Sequence, residues 1–469
     1  MVNICSDVSP GGLVRKGRPK KVLILGAGIA GLVSAYELMR SGHNVTVLEA
    51  RLRPGGRILT LREPFADGLY VEAGAARIPE NHHWTLKYLD HFGLQVAPFY
   101  PDKLDFVHYL QGKRIRVKSG TEVKLGQYPL DITPAEREMR LEEIVKKAFK
   151  PLFTELGDPT SLDWPPEPLR KYDQLTVREF IDSQGISPQI AEMFGFGYMD
   201  FAKNNVSVLE ILRLMSLGVS EKQMLKIVGG ADQLTNAFAA HLKDQLHYGA
   251  EVVGIESDRS QVRVTYVQGG VPQTMAAEYL ICTLPFSVLR HLKIAPSLSE
   301  KKNRAIQEMS YLSLSRIFLQ VRKRYWLDQG LNGFGLADYP TELWDSSFDL
   351  PEPRAILVSY MKGERSQNLA SMSEAERIKY GIAQLEPMLP GLEKYIEGGL
   401  SLCWDEDNWA KGGHVMLSAG QVTELLPHTA YPEGRIHFAG EHTSPWHGWV
   451  QGALESGYRA AIEINDITI

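Results

Sequence analysis

Three glycines at G-x-G-x-x-G spacing, Gly26, Gly28 and Gly31, lie in "VLILGAGIAGL" at residues 22–32. Each has a physical task in a phosphate-binding turn. The first permits a tight turn out of a strand. The second has no Cβ, so a pyrophosphate can approach the backbone. The third lets helix and sheet pack closely. The helix that follows offers free N–H groups and the positive end of its dipole to the phosphates. An acid, Glu49, ends the next apolar run, "NVTVLE", where it is placed to bond ribose hydroxyls. This constellation predicts a bound dinucleotide and does not separate NAD from FAD. The next stretch, "EARLRPGGRI", sets Arg51, Arg53 and Arg57 around the Gly55–Gly56 turn. Guanidinium groups there could return charge to the same pyrophosphate; the alternative is a solvated basic loop.

The elements that must position these residues read as follows. "KVLIL" is a continuous apolar run that suits a strand buried on both faces. "IAGLVSAYELMRSG" has apolar residues at helical spacing and stops at Gly42. With "NVTVLE" it makes a βαβ unit with parallel strands. Residues 116–217 read as helical. "TPAEREMRLEEIVKKAF" opens with Thr133 as N-cap, Pro134 and then Glu136, a capping box, and Thr176 with Glu179 repeats the device before Gly185. Glycine turns, a helix and alternating strands return near 220. Strands "AEYLICTLP", "SRIFLQV" and "RAILVSYM" follow, with a capped helix at Ser373 and Glu376. "RIHFAGEHT" reads as a strand into a glycine turn, before a final helix.

The chain has 469 residues, too many for one ordinary core, so two or three domains are expected. Hydrophobic residues are 44% and charged residues 23%, the balance of a soluble globular protein. A net charge of −5 gives no attraction to nucleic acid or to an anionic membrane. Cys5, Cys282 and Cys403 are too few and too scattered for a disulfide framework or a metal site. The N-terminal stretch has no apolar signal-peptide core, and no apolar run reaches the roughly 18–20 residues that span a bilayer. A cytoplasmic protein without metal is the expectation.

Three blocks, "VLILGAGIAGLVSAYELMRSGHNVTVLEARLRPGGR", "KIVGGADQL" and "IHFAGEHTSPWHGWVQGALESGYRAA", resemble the flavin amine oxidase family in order and content, across residues 20 to 465. The resemblance implies an α/β (α+β overall) fold: a discontinuous Rossmann-like FAD-binding domain, a mixed-sheet substrate domain and a helical insertion. The expected FAD-binding parts are 20–78, 218–295 and 405–469. The substrate parts are 79–115 and 296–404, and the helical domain is 116–217. By matching positions, Glu49 is expected at the ribose, Gly56 and Arg57 at pyrophosphate and flavin, the Val252 backbone at adenine, and Gly440 and Glu441 near the second phosphate and ribityl chain. The block "EAGAARIPENHHWTLKYLDHFGLQ" resembles the L-amino acid oxidase branch, where the arginine in the place of Arg77 grips the substrate carboxylate. Guanidinium suits a planar two-point contact with a carboxylate. The alternative is an arginine paired with an internal acid. Tyr360 matches a tyrosine bonded to the same carboxylate, or is an ordinary strand tyrosine. Trp449 matches an aromatic wall of the flavin site, and Gly448 is expected to offer a carbonyl to the amine.

Two positions depart from the family. A lysine is usual near flavin N5, and counting back from Tyr325–Trp326 puts Arg316 there. Arginine cannot give up its proton as a buried lysine can, so an altered rate with oxygen is expected. The flavin-linked cysteine of monoamine oxidases has no counterpart; His414 falls near its place and is taken as structural, so non-covalent FAD is expected. The implied reaction is hydride transfer from Cα of an L-amino acid to flavin N5, giving a 2-oxo acid, ammonium and, with dioxygen, hydrogen peroxide. An amine or polyamine oxidase, an amino acid monooxygenase or a dehydrogenase on the same scaffold is the nearest alternative. A flavin-free binding protein like the GDP-dissociation inhibitors is a remote one. A homodimer is the family habit. The substrate side chain is left open among aromatic, aliphatic and basic. Phe194, Phe196, Tyr198 and Phe201 read as core packing or an aromatic pocket wall.

Overall fold

The computed structural model describes residues 12–161, 163–194, 205–218, 223–338, 342–351 and 353–468. A five-stranded parallel sheet is assembled from distant parts of the chain, in the order Leu246–Tyr248, Asn44–Glu49, Lys21–Leu25, Tyr279–Cys282 and Ile436–Phe438. Its centre is apolar on both faces: Val22, Leu23, Ile24 and Leu25 are all buried, as an interior parallel strand requires. The helix Ile29–Arg40 covers one face and packs on the last helix, Val450–Asn465. The two approach so closely that a Cβ on Gly457 would lie 2.3 Å from the Ala30 carbonyl oxygen. Chain ends more than 400 residues apart are thereby one layer.

A four-stranded sheet flanks this layer, three antiparallel strands over 250–277 with Lys293–Ala295 alongside. A seven-stranded mixed sheet forms the other half of the molecule. Its middle strands are Leu314–Val321, Ala355–Lys362 and Glu342–Asp345, paired antiparallel with Arg316 opposite Tyr360 and Tyr360 opposite Glu342. That register sets the chemistry described below. This α/β architecture is the one the sequence implied.

Residues 116–217 carry helices and 3₁₀ turns. The capping boxes at Thr133, Thr176 and Ser373 are all formed. One expected helix is two. Pro134–Arg137 ends early, and Leu141–Phe153 starts afresh because Arg140 is extended and its N–H is accepted by Glu143 at 2.8 Å. Phe194 is buried beside Phe149, so it is core rather than pocket wall. Phe196, Tyr198 and Phe201 lie outside the described residues. Among the described residues no helix is long and apolar enough to cross a membrane.

Candidate active site

A cavity of about 430 Å³, in the range of small-molecule and cofactor sites, runs between the parallel sheet and the seven-stranded sheet. At one end lies the glycine turn. Gly26 has φ of +95°, open to glycine at no cost. A Cβ on Gly31 would sit 2.0 Å from the Gly26 carbonyl oxygen, whereas a Cβ on Gly28 would meet nothing within 4 Å and would project into space. The first and third glycines thus close the turn, and the second leaves room beside it. Gly28 caps the helix with no side chain, and Ile29 and Ala30 line the cavity. Those features fit a pyrophosphate against bare backbone N–H groups.

Glu49 stands at the same end of the cavity. Its carboxylate accepts the N–H of Ala27 at 2.7 Å and of Arg51 at 2.8 Å, so it also fixes the turn it serves. Burial pushes its pKa up. The three arginines divide. Arg51 pairs with Asp407 and lies over Trp409 on the cavity wall. Arg53 donates to the carbonyls of Pro54, Gly56 and Ile58; it clamps the Gly55–Gly56 turn from within. Arg57 reaches across to the last segment, donating to the Gly413 carbonyl at 2.8 Å and to Glu441 at 2.9 Å. Gly56, Val252 and Gly440 also line the cavity.

Glu441 is buried, which opposes its charge, but Arg57 and the neighbouring histidines outweigh this and hold its pKa at about 2. Its second oxygen accepts the Gly448 N–H at 2.8 Å. Gly448 has φ of +75°, and a Cβ there would meet the His414 ring at 2.8 Å. His414 donates Nδ1–H to the Val415 carbonyl at 2.7 Å, and burial lowers its pKa, so it is a neutral ring supporting Gly448. Trp449 follows on the wall, with His82 edge-on at 5.0 Å behind it.

At the far end Arg77, Arg316 and Tyr360 line the cavity together. Arg77 donates to the Tyr100 hydroxyl at 2.9 Å and to Glu342 at 2.9 and 3.4 Å. The pairing with an internal acid, one of the two readings open from the sequence, is therefore present. Arg316 donates to the main-chain carbonyls of Glu72 and Gly74 and lies 4.3 Å from the Tyr360 ring. Two residues here were not singled out in the sequence. Lys362 lines the cavity, pairs with Glu342, and sits two residues past Tyr360 on the same strand face. The period-2 alternation of a strand could have found it. No sequence signal marks Glu342. A second buried cluster, Glu210 with Arg213 and His447, also borders the cavity; its i,i+3 Glu–Arg spacing was legible. Among the described residues no cluster of three or more His, Cys, Asp or Glu is placed to hold a metal.

The model of flavin containing amine oxidoreductases matches residues 29–465. The chain belongs to that family. The candidate L-amino-acid oxidase YobN of Bacillus subtilis (strain 168) is 32% identical over 473 residues, covering 97% of this chain and 96% of that one. The L-amino-acid oxidase of Demansia vestigiata is 29% identical over 98% of this chain and 89% of its own. Among solved structures, cyclohexylamine oxidase from Brevibacterium oxydans IH-35A superposes with a TM-score of 0.81 at 22% identity, over 96% of this chain and 99% of its own. Putrescine oxidase bound to putrescine gives 0.78 at 21%, with the same coverage. At such identities the two structures speak for the fold.

This flavin amine oxidoreductase is a flavin-dependent oxidase, and FAD is the usual form of its cofactor. The glycine turn, Glu49, Arg57, Glu441 and the open space at Gly28 are the groups that would hold it. The relatives place it with the L-amino acid oxidases within the family.

Proposed function

We propose that this enzyme oxidises the Cα–N bond of an L-α-amino acid, releasing 2-oxo acid and ammonium after hydrolysis of the imine and passing the electrons to dioxygen as hydrogen peroxide. The observation that carries this reading is Arg77, a mostly buried guanidinium on the cavity wall beside Tyr360. An α-carboxylate would take the Arg77 fork and the Tyr360 hydroxyl. The Gly448 carbonyl would accept from the amine, and Trp449 would wall the face opposite. Bound FAD supplies the two-electron acceptor. The protein's part is positioning, which can lower a barrier by several kcal/mol, of order 7–11 in well-oriented cases. No nucleophile or paired acid is needed.

One observation favours a second reading. Glu342 already neutralises Arg77, as it would in an enzyme for simple amines. Anaerobic titration of the flavin absorbance with L-amino acids, their D-isomers and simple amines decides. Bleaching by L-amino acids alone supports the carboxylate clamp; bleaching by amines moves the enzyme to the amine oxidase branch. Readmitting air then separates oxidase from dehydrogenase, and product analysis separates both from a monooxygenase.

A further inference from the structure

The wall opposite the glycine turn carries more positive charge than one amino acid carboxylate can balance. Three cationic heads converge on two aromatic rings. Arg316 lies 4.3 Å from the Tyr360 ring and 4.9 Å from that of Trp344; Lys362 lies 4.5 Å from Tyr360 and Arg77 5.0 Å from Trp344. The two rings are themselves 5.2 Å apart. Among the described residues, one carboxylate forms ion pairs with these cations: Glu342, which pairs with Arg77 and Lys362 and accepts the Trp344 indole N–H at 2.8 Å. Among the other described groups nearby, only Glu72 can add negative charge, and at neutral pH only in part. Glu72 gives its carboxylate to Thr60 and Ala231 and is pushed up to about 7 by burial. Tyr100 and Tyr360 are neutral phenols with raised pKa, and His414 is neutral. Among the described residues Arg316 forms no ion pair: its direct contacts are carbonyl dipoles and rings, and Glu342 and Glu72 act on it only from a distance.

Arg316, Lys362 and Glu342 are each at most 7% exposed. Excess charge so buried is costly unless an anion joins it. Arg77, Arg316 and Lys362 face the cavity, whereas Glu342 stands behind the wall. The strand register gives the excess a direction. Tyr360 and Lys362 are alternate residues of one strand, with Arg316 and Leu314 opposite them on the next. Alternate residues stand about 6.8 Å apart at Cα, and the two carboxyl carbons of a four- or five-carbon dicarboxylic acid are about 4–5 Å apart. A carboxylate held at Arg77 and Tyr360 thus leaves a second within reach of the Lys362 ammonium.

Resting on the amino acid reading above, we propose that the substrate class is the acidic L-amino acids, with Lys362 the partner of the side-chain carboxylate and Arg316 adding to the field that favours it. Neutral side chains leave the excess unanswered, and basic ones meet like charge. Burial, together with the like charges of Arg77 and Arg316, lowers the Lys362 pKa to about 8 in spite of Glu342, and a second carboxylate beside it would relieve that strain.

The test is equilibrium binding to the anaerobic holoenzyme, read by calorimetry and by perturbation of the flavin spectrum. The probes are matched non-reacting acids: succinate against butyrate, and glutarate against pentanoate. The diacid should bind at least about tenfold tighter, the usual worth of a charged hydrogen bond. In Lys362→Met the ratio should fall towards one with the monoacid affinity nearly kept, because Glu342 retains Arg77; Lys362→Arg should restore it. Equal binding of mono- and diacids by the unaltered enzyme overturns the proposal and leaves the excess charge to the cofactor. So does a diacid preference that survives Lys362→Met. If no carboxylic acid binds while simple amines bleach the flavin, the amino acid reading itself has failed.

Discussion

Glu441 is gripped by Arg57 at 2.9 Å and in turn holds the backbone N–H of Gly448 at 2.8 Å. One carboxylate thus links the first segment of the chain to the glycine expected to face the substrate amine. Its folded pKa is about 2 against an ordinary 4.5. A depressed carboxylate contributes stability that is complete above pH 4.5 and is lost as pH falls towards 2. The size is on the order of 3 kcal/mol. Glu342, held at about 2 by Arg77 and Lys362 despite its burial, adds to the same window. Denaturant midpoints measured from pH 6 down to 3 should therefore fall. In Glu441→Gln the midpoint at pH 7 should already be lower and its fall with acid shallower, and an unchanged slope would contradict the assignment.

The glycines of the opening turn should fail in different ways. Gly31→Ala puts a methyl 2.0 Å from a carbonyl oxygen of the turn, which must distort, so loss of both thermal stability and flavin is expected. Gly28→Ala meets no protein atom. It should melt within a few degrees of the unaltered apoprotein, yet bind FAD at least about tenfold more weakly, because its methyl occupies the space beside the pyrophosphate. The ratio of absorbance at 450 nm (roughly where flavin absorbs) to that at 280 nm, read beside a melting curve, separates the two. Equal FAD affinity in Gly28→Ala would remove the pyrophosphate from that place.

These contrasts show what the sequence could and could not disclose. Local rules wrote the glycine turn, the first strand and helix, and the capping boxes into short stretches, and the structure repeats them. The parallel sheet was legible in part: four of its strands fall in stretches read as strands, whereas the edge strand Leu246–Tyr248, with His247 at its centre, was not. Its order draws on segments hundreds of residues apart and follows from packing rather than from any one segment. The resemblance supplied Arg77, Arg316 and Tyr360 one by one. It could not supply Glu342, because what makes that residue matter is a register between two strands, Glu342 opposite Tyr360. Lys362 was hidden for a milder reason. The strand stretch read from the sequence, 354–361, stopped one residue short of it, and a buried cation there becomes notable only once two others, Arg77 and Arg316, share its wall. Arg53 shows the reverse: it looks like its neighbours in sequence, yet its donors go to the carbonyls of its own turn.

Tyr360 should matter through its hydroxyl alone. The ring is buried between Arg316 and Trp344 and carries packing that phenylalanine would keep. Tyr360→Phe should therefore fold normally. Losing one hydrogen bond to a charged carboxylate should raise KM for the substrate roughly tenfold. A fall in kcat with KM unchanged would mean that the hydroxyl serves the reacting bond instead.

Arg316 is the last and sharpest case. Lysine is usual in its place, and the structure shows what the larger group does there. Its guanidinium reaches the carbonyls of Glu72 and Gly74 while lying over the Tyr360 ring, 4.3 Å from its centre, and those bonds hold the segment just before Arg77. An ammonium has the donors for one or two of these contacts but is a compact, strongly hydrated point charge rather than a delocalised group beside the ring. Arg316→Lys should accordingly cost about 1–3 kcal/mol of stability through the loosened carbonyls. The charge itself survives the change, so carboxylate binding should weaken only a few-fold. The larger effect is expected in the reaction with oxygen, where a mobile, titratable ammonium replaces a fixed cation. Stopped-flow traces of the reductive and oxidative half-reactions, taken across pH 6 to 10, should show the oxidative step acquiring a pH dependence that the unaltered enzyme lacks. Identical profiles in both enzymes would confine Arg316 to its structural contacts.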